Sequence, residues 1–412
     1  MLLKHFFKRM IKTGTLIVID HKGEKYTFAG TPEPTITFRM HSKKIERRLC
    51  FSTLMALGEG YMDGDITIEN GTIYDFLYIC ASNLKRKDFS PLEKVVVTLS
   101  NWIKFIQKHN SITRSKQNVA HHYDIKKELY DLFLDKDFQY SCAYFTSLDE
   151  DLDTAQENKK RHIAAKLRIN SGDKILDIGC GWGGLAIYLA QETGAHVTGL
   201  TLSEEQFKVA NERAKRAGVS DRVHFYLRDY RHETGIYDRI VSVGMFEHVG
   251  TNHYREFFNK VYSLLKEDGL ALLHSIGDSN GPEYSNPWIN KYIFPGGYCP
   301  GLAETIKTIE PAKLNITDIE ILHMHYAETL YHWRKRFMNR LDEAQKMMGE
   351  RFCRMWEYYL AICEVGFRKN GLMVFQIQMV RDPEISTLTR DYIAQWEDEH
   401  REIIAARVRA SK

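Results

Sequence analysis

From about residue 160 onwards, short apolar segments alternate with amphipathic segments, and this alternation constrains the fold more than any other feature. The apolar segments read KILDIG, HVTGL, VHFYL, DRIVSVGM and LALLHSIG. Strands that alternate with helices at this spacing predict an α/β fold with a parallel, doubly wound sheet. Ligands of such a sheet bind beyond the carboxyl ends of its strands. Functional residues are therefore expected directly after the strands.

A glycine-rich turn follows the first strand. LDIGCGWGGLA, residues 176–186, contains Gly179, Gly181, Gly183 and Gly184. Such a turn lets backbone N–H groups approach a ligand that side chains would exclude. The turn alone fits dinucleotide, nucleotide and adenosyl ligands equally. The second strand ends in Thr201, where a dinucleotide site usually has an acid, and this disfavours NAD.

Two polar residues near these strand ends have structural alternatives. Ser203 opens SEEQ, residues 203–206, which matches a helix capping box, and capping is compatible with ligand binding. Asp229 lies in RDY after the third strand. It could accept a hydrogen bond from an adenine amino group, or it could be a solvated acid in a loop.

The residues before this region predict a smaller domain. Alternating apolar residues over 14–40 predict short antiparallel strands, and residues 45–83 predict helices. We expect a small α+β domain at 1–110, a linker at 111–120, a catalytic domain at 121–390 and a C-terminal helix at 391–412. SPLE, residues 90–93, predicts a helix start. GLMVFQIQMV, residues 371–380, predicts a final antiparallel edge strand.

Composition excludes several classes of protein. A net charge of +3 disfavours nucleic acid as a partner. No apolar run approaches the roughly 20 residues that span a bilayer, and no signal peptide is evident, so we expect a cytoplasmic or peripheral membrane protein. The 7 scattered cysteines predict neither a disulfide framework nor a zinc site, and no metal is expected.

Local basic runs point to a membrane surface. Residues 2–12 interleave cations with apolar side chains, which fits an amphipathic segment on an anionic bilayer or a frayed terminus. Two further runs fit docking on acidic lipid head groups or solvated helix faces: Lys43, Lys44, Arg47 and Arg48, and Lys85, Arg86 and Lys87.

Several of these motifs resemble a known family. LDIGCGWGG, GLTLSEEQ and DY resemble class I S-adenosylmethionine-dependent methyltransferases. HYDI, QYSCAYF, SVGMFEHVG, LLHSIG and NPWINKYIFPGG resemble the cyclopropane-fatty-acyl-phospholipid synthases, from about residue 10 to 385. Together with the glycine turn, the resemblance implies that S-adenosylmethionine contacts Tyr140, Ser141, Gly179, Cys180, Gly181, Gly183, Thr201, Leu202, Ser203, Gln206, Asp229 and Tyr230.

An acid and an imidazole follow strands four and five. In the sheet order of such methyltransferases these strands are neighbours about 4.8 Å apart, so we expect Glu247 and His274 to face one pocket. Glu247 also suits a helix N-terminus, and His274 a hydrogen-bonded core position. Their pairing beside a glycine turn favours a functional site.

The implied chemistry requires a buried anion. Methyl transfer to a carbon–carbon double bond leaves a carbocation, and ring closure needs a base that removes a proton from the new methyl group. The resemblance implies a bound bicarbonate as that base, held by Glu247, His274, Cys142, Tyr326 and the backbone of Ile276. Cys363 matches a cysteine often treated as active, although its apolar helix favours an inert thiol.

The remaining inferences concern substrate and assembly. The loop at 286–301 fits either a lid or acyl-channel wall, or a packed Ω-loop. The resemblance implies that unsaturated phospholipid acyl chains at the membrane surface are the substrate and that the enzyme forms a homodimer. Alternatives are a methyltransferase that gives methyl-branched or hydroxylated chains, a small-molecule N-methyltransferase and a non-enzymatic lipid-binding protein.

Overall fold

A computed structural model describes residues 4–31, 33–84, 127–281, 283–284 and 286–410. The chain divides into two compact units. The first comes from Met1–Gln107, Tyr284–Pro295 and Ala327–Leu372, and the second from Lys108–Glu283, Gly296–Tyr326 and Met373–Lys412. The helix predicted from SPLE, the linker at 111–120 and the Lys85–Lys87 run lie outside the described residues, and the domain boundaries stay a prediction.

The N-terminal part of the first unit is a four-stranded sheet covered by helices. Its elements are α1 (Lys4–Met10), β1 (Thr15–Ile19), β2 (Lys25–Ala29), β3 (Thr35–Met40), α2 (Lys43–Phe51), α3 (Thr53–Asp63), β4 (Ile66–Asn70) and α4 (Ile73–Asn83). The strand order is β2-β1-β3-β4. The predicted antiparallel pairing is confirmed for β1 and β2, but it was wrong for β1 and β3, which pair in parallel. The turn sequences show that the chain reverses but not which strands become neighbours.

The N-terminal segment packs into the first unit. Phe7, Met10 and Ile11 are each 6% exposed, and the Phe7 ring lies 5.5 Å from that of Phe28 on β2. The side chains of Phe7, Met10 and Ile11 are therefore covered by protein. Neither a bilayer-bound segment nor a frayed terminus describes these residues.

The second unit contains the expected doubly wound sheet. Seven strands lie in the order β12-β13-β9-β8-β5-β6-β7. Strands β5 to β9 pair in parallel, and β12 pairs antiparallel to β13. The elements to β9 are α5 (Lys127–Tyr130), α6 (Leu152–Leu167), β5 (Lys174–Ile178), α7 (Gly184–Thr193), β6 (His196–Thr201), α8 (Glu204–Arg216), β7 (Val223–Leu227), β8 (Tyr237–Val243), α9 (Tyr254–Leu264) and β9 (Leu265–Asp278).

The remaining elements complete both units. They are β10 (Glu283–Tyr284), α10 (Pro287–Tyr292), β11 (Tyr298–Cys299), α11 (Leu302–Ile309), β12 (Asn315–Ile321), α12 (His323–Asn339), α13 (Leu341–Met348), α14 (Glu350–Lys369), β13 (Leu372–Val380) and α15 (Asp391–Ala410). Among the described residues, no helix has the length and apolar character needed to cross a membrane.

The antiparallel pair at the end of the sheet differs from the sequence prediction in one respect. Residues 371–380 were expected at the sheet edge, but β13 lies between β12 and β9. Eight of its nine residues are buried, which suits a strand covered on both faces. The edge is β12, a half-exposed strand that the sequence analysis missed.

Both faces of the parallel sheet are buried. On β9, Ala271 and Leu273 join one apolar cluster, whereas Leu270 and Leu272 join the other. This alternation follows from the two-residue period of a strand. Because apolar side chains fill both faces, polar ligands are left with the strand ends.

Candidate active site

A pocket in the second unit lies at the carboxyl ends of β5 to β8. Of the predicted donor-binding residues, all but Gly183 and Ser203 line it: Tyr140, Ser141, Gly179, Cys180, Gly181, Thr201, Leu202, Gln206, Asp229 and Tyr230. The described lining leaves out the residues predicted to be catalytic, but Met245 and His248, which flank Glu247, belong to it. The predicted donor-binding residues thus mostly line one pocket, whereas the predicted catalytic residues lie outside its described lining.

The glycine turn forms part of the pocket lining through Gly179 and Gly181. Gly179 and Gly181 have φ angles of 86° and 53°, which favour glycine. Gly183 also has a positive φ, but a Cβ there would lie 2.6 Å from the Phe225 ring. Gly183 is therefore required by helix–strand packing and does not face the ligand.

Ser203 has the structural role that its sequence context predicted. Its hydroxyl accepts a hydrogen bond from the Gln206 backbone N–H at 3.3 Å, which caps α8. In a full capping box the Gln206 side chain would also bind the backbone of Ser203. Here its side-chain carbonyl instead accepts a hydrogen bond of 2.9 Å from the Thr201 hydroxyl. That bond holds Thr201 and Gln206 together in the pocket lining.

Asp229 is held by its neighbour Arg231. The guanidinium donates to both carboxylate oxygens, at 2.9 and 2.7 Å. Although burial alone would raise the pKa of Asp229, these bonds hold it below the ordinary value. The carboxylate is therefore ionised at neutral pH, which suits an acceptor for a ligand amino or hydroxyl group.

Helix α6 contributes a cation that the sequence analysis missed. Lys159 is 1% exposed and lines the pocket. Its ammonium donates to the Gln139 side chain at 2.6 Å and to the Ser141 hydroxyl at 2.9 Å. Burial lowers its pKa to about 8. In the sequence, Lys159 belongs to KKRH and resembles a solvated charge run, so nothing there marks it as buried.

Asp177 on β5 is the second missed group. Burial raises its pKa to about 7, against the opposing effect of Lys159. Its Oδ2 has no hydrogen-bond partner among the described residues, and the side chain lines the pocket. A carboxyl group and an ammonium on one wall suit the amino and carboxylate groups of an amino-acid ligand. The sequence does mark this residue, because Asp177 is the only acid in the strand KILDI and stands between Leu176 and Ile178.

Glu247 lies in a 3₁₀ turn after β8. Its Oε1 accepts a bond of 2.6 Å from the backbone N–H of Ile276, whereas its buried Oε2 has no partner among the described residues. Burial raises its pKa to about 7 despite that bond. The family resemblance implies that the Ile276 backbone contacts the anion directly. In the structure its N–H donates to the Glu247 carboxylate.

His274 occupies the adjacent strand, opposite Val243 in the β8–β9 register. Burial lowers its pKa to about 3, so the ring is neutral. The Gln376 amide nitrogen lies 3.1 Å from its Nδ1. An amide nitrogen only donates, so Nδ1 accepts and the ring proton resides on Nε2. His274 therefore presents a neutral N–H donor from its other edge.

Cys142 and Tyr326 lie on two segments that contact each other. Both residues are buried, and the backbone N–H of Phe145 donates to His325 Nδ1 at 3.0 Å. The Tyr144 ring stacks on that of His325, with centroids 4.9 Å apart. This contact joins the loop that carries Tyr140, Ser141 and Cys142 to the start of α12.

Two predicted features belong to the first unit. Cys363 lies on α14, and burial raises the pKa of its thiol to about 12, which supports an inert cysteine. Trp288 is 0% exposed, and its indole N–H donates to the Met62 sulfur at 3.1 Å. Of the two interpretations of the 286–301 loop, the packed one describes Trp288.

The chain matches a protein-family model described as mycolic acid cyclopropane synthetase over residues 110–377. A probable fatty acid methyltransferase of Pseudomonas putida is 35% identical over 362 residues, covering 85% of this chain and 88% of that protein. The cyclopropane-fatty-acyl-phospholipid synthase of Escherichia coli K12 is 41% identical over 263 residues, covering 64% and 67%.

Two solved structures are also similar to this chain. The mycolic acid cyclopropane synthase CmaA1 complexed with SAH and CTAB superposes with a TM-score of 0.61 at 30% identity, covering 64% of this chain and 97% of that one. Coclaurine N-methyltransferase superposes with a TM-score of 0.64 over 80% of this chain and 100% of that one. Because its identity is 21%, it supports the fold alone.

Proposed function

The chain belongs to the mycolic acid cyclopropane synthetase family of S-adenosylmethionine-dependent lipid methyltransferases, and we propose that it forms cyclopropane rings. In this proposal it adds a methylene group from S-adenosylmethionine to the cis double bond of an unsaturated acyl chain in a membrane phospholipid. The observation that carries the proposal is the position of Glu247, which is buried beside the donor pocket and has one carboxylate oxygen without a partner among the described residues.

The pocket residues suit the charged donor. Asp177 and Lys159 match its amino and carboxylate groups, and Asp229 accepts from its adenosyl part. A polar but enclosed wall around a positively charged sulfur favours attack by a weak nucleophile, because little water competes for the methyl group.

The reaction consists of two bond changes. The alkene electron pair forms a bond to the donor methyl carbon as the carbon–sulfur bond breaks, which leaves a carbocation on the acyl chain. A proton then leaves the new methyl group, and its electron pair closes the ring. An acceptor for that proton must sit among apolar groups, where a carbocation is not quenched by water.

In this proposal the predicted catalytic residues hold a bicarbonate ion, which would supply a base that accepts this proton. The Nε2–H of His274 and the Tyr326 hydroxyl would donate to its oxygens, and the Oε2 of Glu247 would accept its hydroxyl proton. Cys142 borders the same ion in this proposal. Ile276 acts through Glu247, whose orientation its N–H fixes.

A second candidate product is a methyl-branched acyl chain. The Pseudomonas putida relative covers more of this chain than the Escherichia coli synthase does, and it is named a fatty acid methyltransferase. Both outcomes share the donor pocket and the first bond change. They differ in whether the proton lost by the cation comes from the new methyl group.

Replacement of Glu247 by Gln tests the proposal. Because an amide still accepts from Ile276 but cannot take up a proton, we expect donor affinity within about twofold of wild type and product formation at least about a hundredfold lower. Purified protein, labelled donor and unsaturated phospholipid in detergent provide the assay, and calorimetry measures donor binding. Glu256→Gln, an exposed acid on α9, is the control. Wild-type turnover by Glu247→Gln would contradict the proposal.

A further inference from the structure

The junction of α2 and α3 in the first unit exposes two large apolar side chains. Phe51 is 90% exposed and Leu54 is 49% exposed, and Ser52 and Thr53 between them are exposed as well. Single exposed apolar residues need no explanation. Two of them within four residues, at the point where two helices meet, form a local apolar tip.

Three cations share the face of α2 that bears Phe51. At 3.6 residues per turn, Lys43, Lys44, Arg47 and Phe51 fall within about 100° of arc. Ile45 and Leu49 point to the opposite side and are buried. All three cations are exposed, and no ion pair among the described residues includes them.

The acids beneath this face are already engaged. Glu46 accepts from the His21 ring at 2.9 Å. Glu59 pairs with Arg48 and accepts from Lys291 at 2.7 Å and from Tyr292 at 2.8 Å. On α2 itself, the charged side chains that remain exposed are therefore Lys43, Lys44 and Arg47.

The tip is fixed by its own backbone contacts. The Thr53 hydroxyl donates to the Leu49 carbonyl at 2.7 Å, and the N–H of Ala56 donates to the Ser52 carbonyl at 2.8 Å. A rigid tip loses little conformational entropy when its apolar side chains are buried by a partner.

From these observations we infer that Phe51 and Leu54 insert into an anionic phospholipid bilayer while Lys43, Lys44 and Arg47 contact its head groups. We call these five residues the docking corner. Apolar side chains beside cations that have no ion pair among the described residues match the boundary between acyl chains and anionic head groups. The inference rests on the proposed function, since a bilayer is where the proposed substrate resides.

Vesicle sedimentation tests the docking corner on the full-length protein. Wild type should bind vesicles containing phosphatidylglycerol more tightly than vesicles of phosphatidylcholine alone. The pair Phe51→Ala and Leu54→Ala should weaken binding about tenfold, and each of Lys43, Lys44 and Arg47 changed to Ala should weaken it by about fivefold. Exposed residues elsewhere give controls: Leu388→Ala for the apolar pair, and Lys208, Lys215 and Arg216 changed to Ala for the cations.

Activity on detergent-dispersed lipid separates this inference from the proposed function. Corner variants should retain donor binding and that activity while losing vesicle binding. Brominated acyl chains should quench the added tryptophan fluorescence of a Phe51→Trp variant but not that of Leu388→Trp. These two variants keep a large apolar side chain at each position, so the measurement does not depend on removing one. The inference would be overturned if the corner variants bound vesicles as wild type does, or if the control variants lost as much binding. It would also be overturned if the corner variants changed the oligomeric state of the protein and not its vesicle binding.

Discussion

At the scale of single residues, burial gives the charged groups of the site unusual protonation states. It brings the pKa of Glu247 and of Asp177 up to about 7, and that of Lys159 down to about 8. The sequence could predict Glu247 and His274, because they follow strands whose ends must meet. It could not predict Lys159, because a lysine in a basic helical run gives no sign that the helix is buried.

Donor binding should depend on pH through Lys159. The ammonium that attracts a carboxylate exists below the pKa of about 8 and is lost as the pH rises past it. Lys159→Met should weaken donor binding at least about tenfold at pH 7 and remove this alkaline decline. Calorimetry from pH 6.5 to 9.5 measures both effects, and the donor's own titration is common to both proteins.

Lys160→Met is the matched control for that experiment. Lys160 is also buried on α6, but it pairs with Asp137 and Glu157, both at 2.8 Å, and does not line the pocket. It should leave the pH dependence of donor binding intact. Identical pH profiles for Lys159→Met and wild type would rule out a charge role for Lys159.

Gln376 should control the tautomer of His274. Replacing its amide by the carboxylate of Glu substitutes an acceptor for a donor, so the ring proton should move to Nδ1 and Nε2 should lose its hydrogen. We expect kcat to fall about tenfold to a hundredfold with little change in donor affinity. Nitrogen-15 shifts, assigned with His274→Asn, report the tautomer. A Gln376→Leu protein with wild-type kcat would show that the contact has no part in the reaction.

At the scale of secondary-structure elements, local pattern and strand order differ in how well they can be predicted. Alternating strands and helices predicted the parallel sheet, which the structure confirms. The same kind of pattern placed β13 at the edge and missed β12. The sequence NITDIEI has polar residues at four of its seven positions, as an edge strand does, but nothing local shows that it pairs with residues 54 to 65 positions later.

Helix α15 lies beyond the region that matches the family model, and a buried histidine on α6 contacts it. His162 on α6 contacts Glu320 at 2.7 Å through Nε2 and Glu397 on α15 at 2.6 Å through Nδ1. Burial alone would lower the pKa of His162, but these two carboxylates raise it above the ordinary value. The imidazolium thus links α15 to the body of the second unit.

Glu397→Gln should therefore destabilise the protein in a pH-dependent way. A raised pKa in the folded state contributes stability that is complete below the unfolded value, near 6.5, and disappears as the pH exceeds the folded value. We expect a loss of about 1.5–3 kcal/mol at pH 6 and less at pH 9. Denaturation by urea at both pH values measures it, with the exposed Glu399→Gln as control. Equal losses at both pH values would show that His162 is not charged.

At the scale of the whole molecule, we assign a different task to each of the two units. The second unit holds the donor pocket and the buried acid, and the first holds the docking corner. The family assignment and the fold follow from long motifs, whereas the product depends on where one proton leaves a carbocation. No motif in the chain encodes that choice by itself.

The most direct test uses S-adenosylmethionine with a fully deuterated methyl group. Purified protein is incubated with it and an unsaturated phospholipid, and the acyl chains are analysed by mass spectrometry. Ring closure removes one deuterium from the new methyl group, so we predict products that retain two of the three. Acyl chains that retain all three would contradict cyclopropane formation and indicate a methyl branch, and unlabelled chains would contradict methyl transfer to lipid altogether.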